Sequence, residues 1–213
     1  MKLYGYFRSS AAFRVRIAVN LKRLDYEGAF IHLRRGDQGQ PGFLAVNPQG
    51  LVPALETDGQ VLIQSLAIIE YLDETHPEPP LMPRDPAGRA RVRGLAEIVA
   101  CDIHPINNLR VLRYLHRSFG QDEQAIGTWY NHWIDAGFQA LEQLLAEDPR
   151  TGAFCHGDAP SLADIALAPQ VVNAERYKLD LVPYPTIKRI FDHCMKLDAF
   201  AAAHPDRQPD REG

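Results

Sequence analysis

"KLYGYFRSSAAFRVRIAVNLKRLDYEGAFIHL", residues 2–33, decides how the fold begins. "KLYGYF" reads as a short strand. Residues 10–22 follow with Val15, Ala18 and Val19 at helical spacing. "YEGAFIHL" reads as a second strand, near enough to pair parallel with the first across the helix. Further on, "LVPALET" and "QVLIQS" are two brief strands separated by Asp58-Gly59, a hairpin signal. "SLAIIEYLDETH" is then a helix that stops before Pro77. The order β-α-β, β-β-α predicts a small α/β module with a mixed sheet.

Outward from that module the character changes. "PEPPLMPRDP" (77–86) has five prolines in ten residues, so it can be neither regular helix nor inner strand. It reads as the connection. Beyond it the pattern is nearly all helical, over about 89–118, 122–147, 161–176 and 185–196. Residues 1–80 are expected as one domain, 81–88 as linker and 89–213 as an all-α domain. "SLAD" (161–164) predicts a capping box, with Ser161 as N-cap and Asp164 at the third helical position, a matter of folding rather than chemistry.

Composition narrows the function. The chain has 213 residues, 46% of them hydrophobic, enough for a sizeable core. A formal charge of −4 and the lack of a dense basic block argue against nucleic acid. The run "RDPAGRARVRG" (84–94) reads as the solvated face of a starting helix. Cys101, Cys155 and Cys194 lie far apart with no C-x-x-C spacing, so neither a disulfide framework nor a zinc site is expected. Cys101 and His104 share a helical face, but two such groups do not make a metal site. A reducing, cytoplasmic location is the default. "MKLYGYF" lacks the apolar run of a signal peptide or membrane span.

Four stretches could carry chemistry. Ser9 and Ser10 stand at a helix N-terminus without a G-x-S-x-G or an evident triad. Such hydroxyls cap the helix, or donate to an anion held there. A thiolate is one such anion, and a helix N-terminus plus a donor lowers a thiol pKa. No cysteine lies at this point, so the thiol would come from a ligand. In "NPQGLVPAL" (47–55), Pro53 cannot donate to a strand ladder. A cis Val52–Pro53 bond would turn the Val52 backbone outward toward a peptide-like ligand; a plain loop proline is the alternative. In "QSLAII" (64–69), Gln64 and Ser65 begin a helix whose free N–H groups suit a carboxylate, or Ser65 is simply a cap. "ACDIHPINNLRVLRYL" (100–115) reads as a helix bent by Pro105, with His104, Asn107, Asn108 and Arg110 as a ligand-facing polar cluster near the bend.

Taken together, "FRSSAAFRVRIAVNLK", "NPQGLVPAL", "QSLAIIEYLDE", "DIHPINNLRVL" and "GDAPSLADIALAPQV" resemble the zeta class of glutathione transferases. Within it they resemble the maleylacetoacetate and maleylpyruvate isomerases. The resemblance runs in unbroken order from Met1 to about Phe200. The serine-rich and "DIHPINN" stretches are the class-specific ones. It implies the glutathione transferase fold: an α/β thioredoxin-like N-terminal domain binding glutathione, an all-α C-terminal domain, and a homodimer.

Position by position, the resemblance makes Ser9 the hydroxyl donor to the glutathione thiolate, with Ser10 as the other candidate. Ser10 and Ala11 line the same turn. Val52 pairs with the cysteinyl backbone of glutathione, and Gln64 and Ser65 hold its γ-glutamyl end. His104 and Asn108 join the glutathione set. Arg8, Arg110 and Arg176 are assigned to the carboxylates of a small dicarboxylate substrate, Arg176 in a stretch the resemblance puts over the site's mouth. Surface ion pairs, for example with Glu27 or Glu175, are the alternative for Arg8 and Arg176. One departure stands out: many members read Ser-Ser-Cys where this chain reads Ser9-Ser10-Ala11.

The implied activity is glutathione-dependent cis–trans isomerisation of a maleyl keto acid, first maleylacetoacetate, to its fumaryl isomer. The thiolate adds beta to a carbonyl, the new single bond rotates, and elimination returns the thiolate. The pathway would be tyrosine and phenylalanine or aromatic-acid degradation. Maleylpyruvate as substrate, a general transferase acting on halogenated acids, and a non-catalytic glutathione-binding module are the alternatives.

Overall fold

Residues 1–81 in the computed structural model form a unit together with residues from 195 onward, and residues 82–194 form a second. The structure describes residues 1–212. In the first unit, β1 (Lys2–Gly5) leads through α1 (Ser10–Leu21) to β2 (Glu27–Phe30). After a short α2 (Pro41–Leu44) come β3 (Ala54–Thr57), β4 (Gln60–Ile63) and α3 (Ser65–Thr75). The sheet order is β2-β1-β3-β4, with β1 and β2 parallel and the other pairs antiparallel. The β3–β4 turn puts Asp58 (φ 50°) and Gly59 (φ 74°) both in the left-handed region, as a two-residue hairpin requires.

Helix α1 is buried on almost every side: ten of its twelve residues are buried, Val15, Ala18 and Val19 completely so. The burial takes in two arginines. Arg14 is 2% exposed and Arg16 5%. On one side α1 packs on α3, and on another on α9 (Asp198–Ala203). Helix α9 was not expected from the sequence. It and the residues after it belong to the first unit, whereas the sequence pattern groups them with the helical part. Lys22, at the end of α1, has a fully buried side chain whose ammonium donates to Asp73 Oδ1, His76 O and Pro79 O, each at 2.6 Å.

The second unit is helical. α4 (Pro86–Glu97) starts inside the proline-rich stretch, because Pro86 suits the first helical position and Asp85 caps it by accepting from Gly88 N (2.7 Å). The single bent helix expected over 89–118 is instead two. A wide turn over Ile98–Ile103 closes α4, residues 104–108 are non-helical, and α5 (Leu109–Phe119) begins anew with Asn108 as its cap. Pro105 has no N–H to continue the ladder, and Asn108 supplies the next start. The wide turn presses Ile103 into α6 (Glu123–Glu147) at Gly137, where a Cβ would collide with the Ile103 side chain. α7 (Leu162–Arg176) is the buried centre, with α4 packed on it, and α8 (Pro185–Met195) follows.

Two polar clusters brace this unit. The capping box forms: Asp164 Oδ2 accepts from Ser161 N (2.8 Å) and Ser161 Oγ (2.7 Å), and Oδ1 accepts from Cys155 N (2.8 Å). The arginine run is not simply a solvated face. Arg91 has a side chain only 9% exposed and donates to Asp148 Oδ2 (2.9 Å), Thr151 Oγ1 (2.7 Å) and Cys155 O (2.6 Å). Arg150, with Arg91, holds the Asp148 carboxyl well below the usual carboxylate range. Among the described residues no helix is long and apolar enough to cross a membrane, and no three metal-ligating side chains gather.

Candidate functional site

The serine turn sits between β1 and α1. Ser9 N donates to Tyr6 O (3.0 Å), closing a turn that delivers Ser9 to the N-cap of α1. There Ser9 Oγ accepts from Ala12 N (3.2 Å). A hydroxyl has one proton and two lone pairs, so accepting that bond leaves the proton to be donated elsewhere. Capping and anion binding, alternatives in the sequence, are therefore compatible in one side chain. Ser9 is half-buried, whereas Ser10 and Ala11 are buried. Arg8, also half-buried, lies in the same turn.

The turn is held from below by Arg16. Its guanidinium donates to Phe7 O (3.1 Å), Tyr6 O (3.4 Å) and Ala203 O (3.0 Å). Burial lowers its pKa to about 10, which still leaves it charged at neutral pH.

The Val52 loop is joined to the turn by packing. Tyr6, Phe7, Phe43 and Val52 make one apolar cluster. The Val52–Pro53 bond is cis, as one of the two readings of that stretch required. Asn47, 1% exposed, shapes the approach: its Nδ2 donates to Leu51 O (2.7 Å) and its Oδ1 accepts from Gln49 N (3.0 Å). Gln64 Nε2 donates to Gln49 Oε1 (3.0 Å), linking this loop to the start of α3. Gln64 occupies the N-cap position at φ 70°, an unfavourable backbone region for a non-glycine residue and one that recurs where function fixes the chain. Ser65 is the first helical residue rather than the cap. It is 6% exposed, and its Oγ accepts from Arg14 Nη1 (3.2 Å).

Direct contacts thus join the segments of Ser9, Val52, Gln64 and Ser65. Sequence reasoning missed Asn47, Arg14 and Arg16. The signal was present only as polar residues at positions whose neighbours are apolar. This donor set suits an anionic peptide: a hydroxyl proton at one helix N-terminus, and a second N-terminus with a buried guanidinium bonded to its first serine.

In the second unit the polar cluster is divided. His104 is half-buried in the break after α4. Asn107 is buried and donates through Nδ2 to Tyr130 O (3.0 Å). Asn108 Oδ1 accepts from Arg110 N (3.1 Å) as the cap of α5, and the Arg110 side chain is exposed. Asn107 therefore has a packing role, while the Asn108 amide nitrogen remains a donor group beyond its capping oxygen. Arg176 donates to Tyr130 Oη (3.4 Å) and lies 5.3 Å from the centre of the Tyr177 ring. Tyr130 and Tyr177 are stacked at 3.6 Å with planes 9° apart. Glu27, one suggested surface partner, pairs with Lys2 at 3.4 Å.

Comparison with known proteins identifies the family. The N-terminal domain model of the glutathione S-transferase family matches residues 3–80, and the C-terminal domain model of that family matches residues 123–193. A maleylpyruvate isomerase from a Ralstonia species is 54% identical over 210 residues, covering 99% of both chains. The holo structure of a maleylpyruvate isomerase described as a bacterial zeta-class glutathione S-transferase superposes with a TM-score of 0.98, at 54% identity and full coverage of both chains. A maleylacetoacetate isomerase from Methylobacterium extorquens, solved with bound malonate and glutathione, gives a TM-score of 0.97 at 47% identity, again over the whole of both chains. The chain belongs to the zeta class of the glutathione transferase family, among the maleylacetoacetate and maleylpyruvate isomerases.

Proposed function

We propose that this protein is a glutathione-dependent isomerase that converts a maleyl keto acid, in the first reading maleylacetoacetate, to its fumaryl isomer. The observation that carries the reading is Ser9: a half-buried N-cap hydroxyl whose oxygen is engaged by Ala12 N and whose proton remains to be given. Glutathione, when bound, supplies a thiolate that adds reversibly to the alkene, so that the former double bond can rotate.

The chain's own residues do the rest. Ser9 donates to the sulfur and favours its anionic form. Ser10 and Ala11 form the floor of that turn. Val52 offers backbone groups to the peptide part, and Gln64 and Ser65 receive the γ-glutamyl carboxylate at the α3 N-terminus. His104 and Asn108 complete the glutathione set. Arg8, Arg110 and Arg176 bind the substrate's carboxylates, for which the planar guanidinium is suited. The malonate bound with glutathione in the Methylobacterium relative supports a dicarboxylate as substrate.

Maleylpyruvate is the second reading. The 54% identity over 99% of both chains to a maleylpyruvate isomerase favours it. Both substrates share the reacting group. A homodimer, a cytoplasmic location and a place in tyrosine and phenylalanine or aromatic-acid degradation complete the proposal. Three free cysteines, two of them buried, support a reducing compartment.

The test compares maleylacetoacetate with maleylpyruvate under one condition, with and without glutathione. Turnover of one or both that needs glutathione but does not consume it is expected. Net conjugation, or no turnover of either, overturns the reading. Ser9→Ala should lose most turnover while still binding glutathione, and should raise the pKa read from the ultraviolet thiolate band. An unchanged titration would move the role to Ser10.

A further inference from the structure

Phe7 is 7% exposed and lies just past the end of β1, two residues before Ser9. Its N–H must find a partner, since a buried backbone donor left unpaired is costly. The partner comes from more than two hundred residues away: Phe7 N donates to Asp210 Oδ2 at 2.8 Å. Both carbonyls of the same stretch, Tyr6 O and Phe7 O, are taken by Arg16, whose Nε donates to Ala203 O. The segment that brings Asp210 is itself tied down. Asn20 Nδ2 donates to Ala199 O (2.9 Å), and His32 Nε2 and Glu212 Oε1 are 2.6 Å apart.

We propose that Asp210 is a positioning residue for Ser9: by accepting from Phe7 N it fixes the Tyr6–Ser9 turn, and so the point from which the Ser9 hydroxyl is presented. The proposal rests on the reading of Ser9 as the thiolate's donor. The hydrogen bond to a carboxylate is of the charge-assisted kind, shorter and stronger than a neutral one. Asp210 is only half-buried, in a segment outside the regular elements, so replacing it removes no apolar side chain from the core.

A positioning role and a charge effect have opposite signs. A carboxylate acting through its field alone would oppose a nearby thiolate, and its removal would lower the thiol pKa. A carboxylate acting through the turn supports the thiolate, and its removal would raise it.

The experiment uses the full chain with Asp210→Ala, Asp210→Asn and Ser9→Ala, reading the thiolate band of bound glutathione against pH together with kcat and KM. Asp210→Ala should raise the pKa of the bound thiol by about one pH unit and lower kcat by up to about tenfold at pH values below that pKa, leaving KM for glutathione within about twofold. Asp210→Asn, whose amide oxygen can accept from the same N–H, should restore most of the rate. An unchanged or lowered pKa in Asp210→Ala overturns the proposal, as does an Asn variant as impaired as the Ala variant. If Ser9→Ala shifts the titration and Asp210→Ala does not, only the positioning role fails. If Ser9→Ala leaves it unshifted, the reading of Ser9 fails and the proposal with it.

Discussion

Replacing Lys22 by Met would test how the first unit is held closed. The ammonium is fully buried and directs its three protons to Asp73 Oδ1, His76 O and Pro79 O, all at 2.6 Å. Asp73 Oδ1 also accepts from Leu81 N (2.8 Å), so one pair joins the end of α1, the end of α3 and the start of the proline-rich stretch. Methionine fills much the same volume, so little is lost in packing. What is lost is the partner of an almost buried carboxylate and of two carbonyls. Breaking a buried pair from one side costs about 3–5 kcal/mol. The Asp73 side chain retains 12% exposure and its bond from Leu81, which favours the lower end, about 3 kcal/mol. For a chain of this size that corresponds to a fall in melting temperature of roughly 6–12 °C. Urea titration and thermal melting of wild type, Lys22→Met and the double variant Lys22→Met/Asp73→Asn give the cycle. The double variant should recover part of the loss, because the uncompensated carboxylate is gone. A loss below about 1 kcal/mol in Lys22→Met would put the pair among ordinary surface pairs and refute the reasoning.

Three other outcomes are expected. His204, whose Nδ1 accepts from Asp206 N at 3.2 Å, has its pKa lowered from 6.5 by burial; the unfolded chain binds the proton more readily, so this contribution to stability is complete above pH 6.5 and is lost as pH falls through the lower folded value. Urea midpoints measured across that range should show the loss, and His204→Asn should flatten it. Arg8→Ala and Arg176→Ala should each weaken use of the dicarboxylate by about 1.5–3 kcal/mol with glutathione affinity little changed, and kinetics on a mono-ester analogue should show a smaller penalty for at least one of them. Ala11→Cys, at a buried position of the serine turn, should alter KM for glutathione more than kcat; a hundredfold gain in kcat, roughly 2.7 kcal/mol, would point to a different natural activity.

Local patterns told most where local physics decides. The β-α-β order, the Asp58-Gly59 turn, the cap at Ser9 and the Ser161–Asp164 box all depend on residues close in sequence. The buried arginines were not legible for the opposite reason. Nothing near Arg14 and Arg16 in sequence shows what they bond: their N–H groups serve Ser65 Oγ and the carbonyl of Ala203, 51 and 187 residues away. Arg91 misled in the same way, because Asp148, Thr151 and Cys155 come from beyond α6. At Pro105 the sequence announced a disturbance but not its outcome. Whether a helix bends or stops there depends on the Asn108 cap and on the space Gly137 leaves for Ile103.

The closure of the first unit by residues 198–210 also has a consequence for the order in which the chain is made. The strands and α1–α3 leave the ribosome long before their last supports do. At about 5–20 residues per second, residues 82–194 occupy roughly 6–23 s of synthesis. Throughout that interval α1 lacks its α9 neighbour, Arg16 lacks the Ala203 carbonyl, and Phe7 N lacks the Asp210 carboxylate. Completing the unit then means closing a loop the length of the whole second unit, at an entropic cost that grows only with the logarithm of its length and falls further once residues 82–194 have folded. A nascent chain stalled before α9 should therefore carry the serine turn in a loosened form, and glutathione should protect the released protein against proteolysis far better than the stalled one.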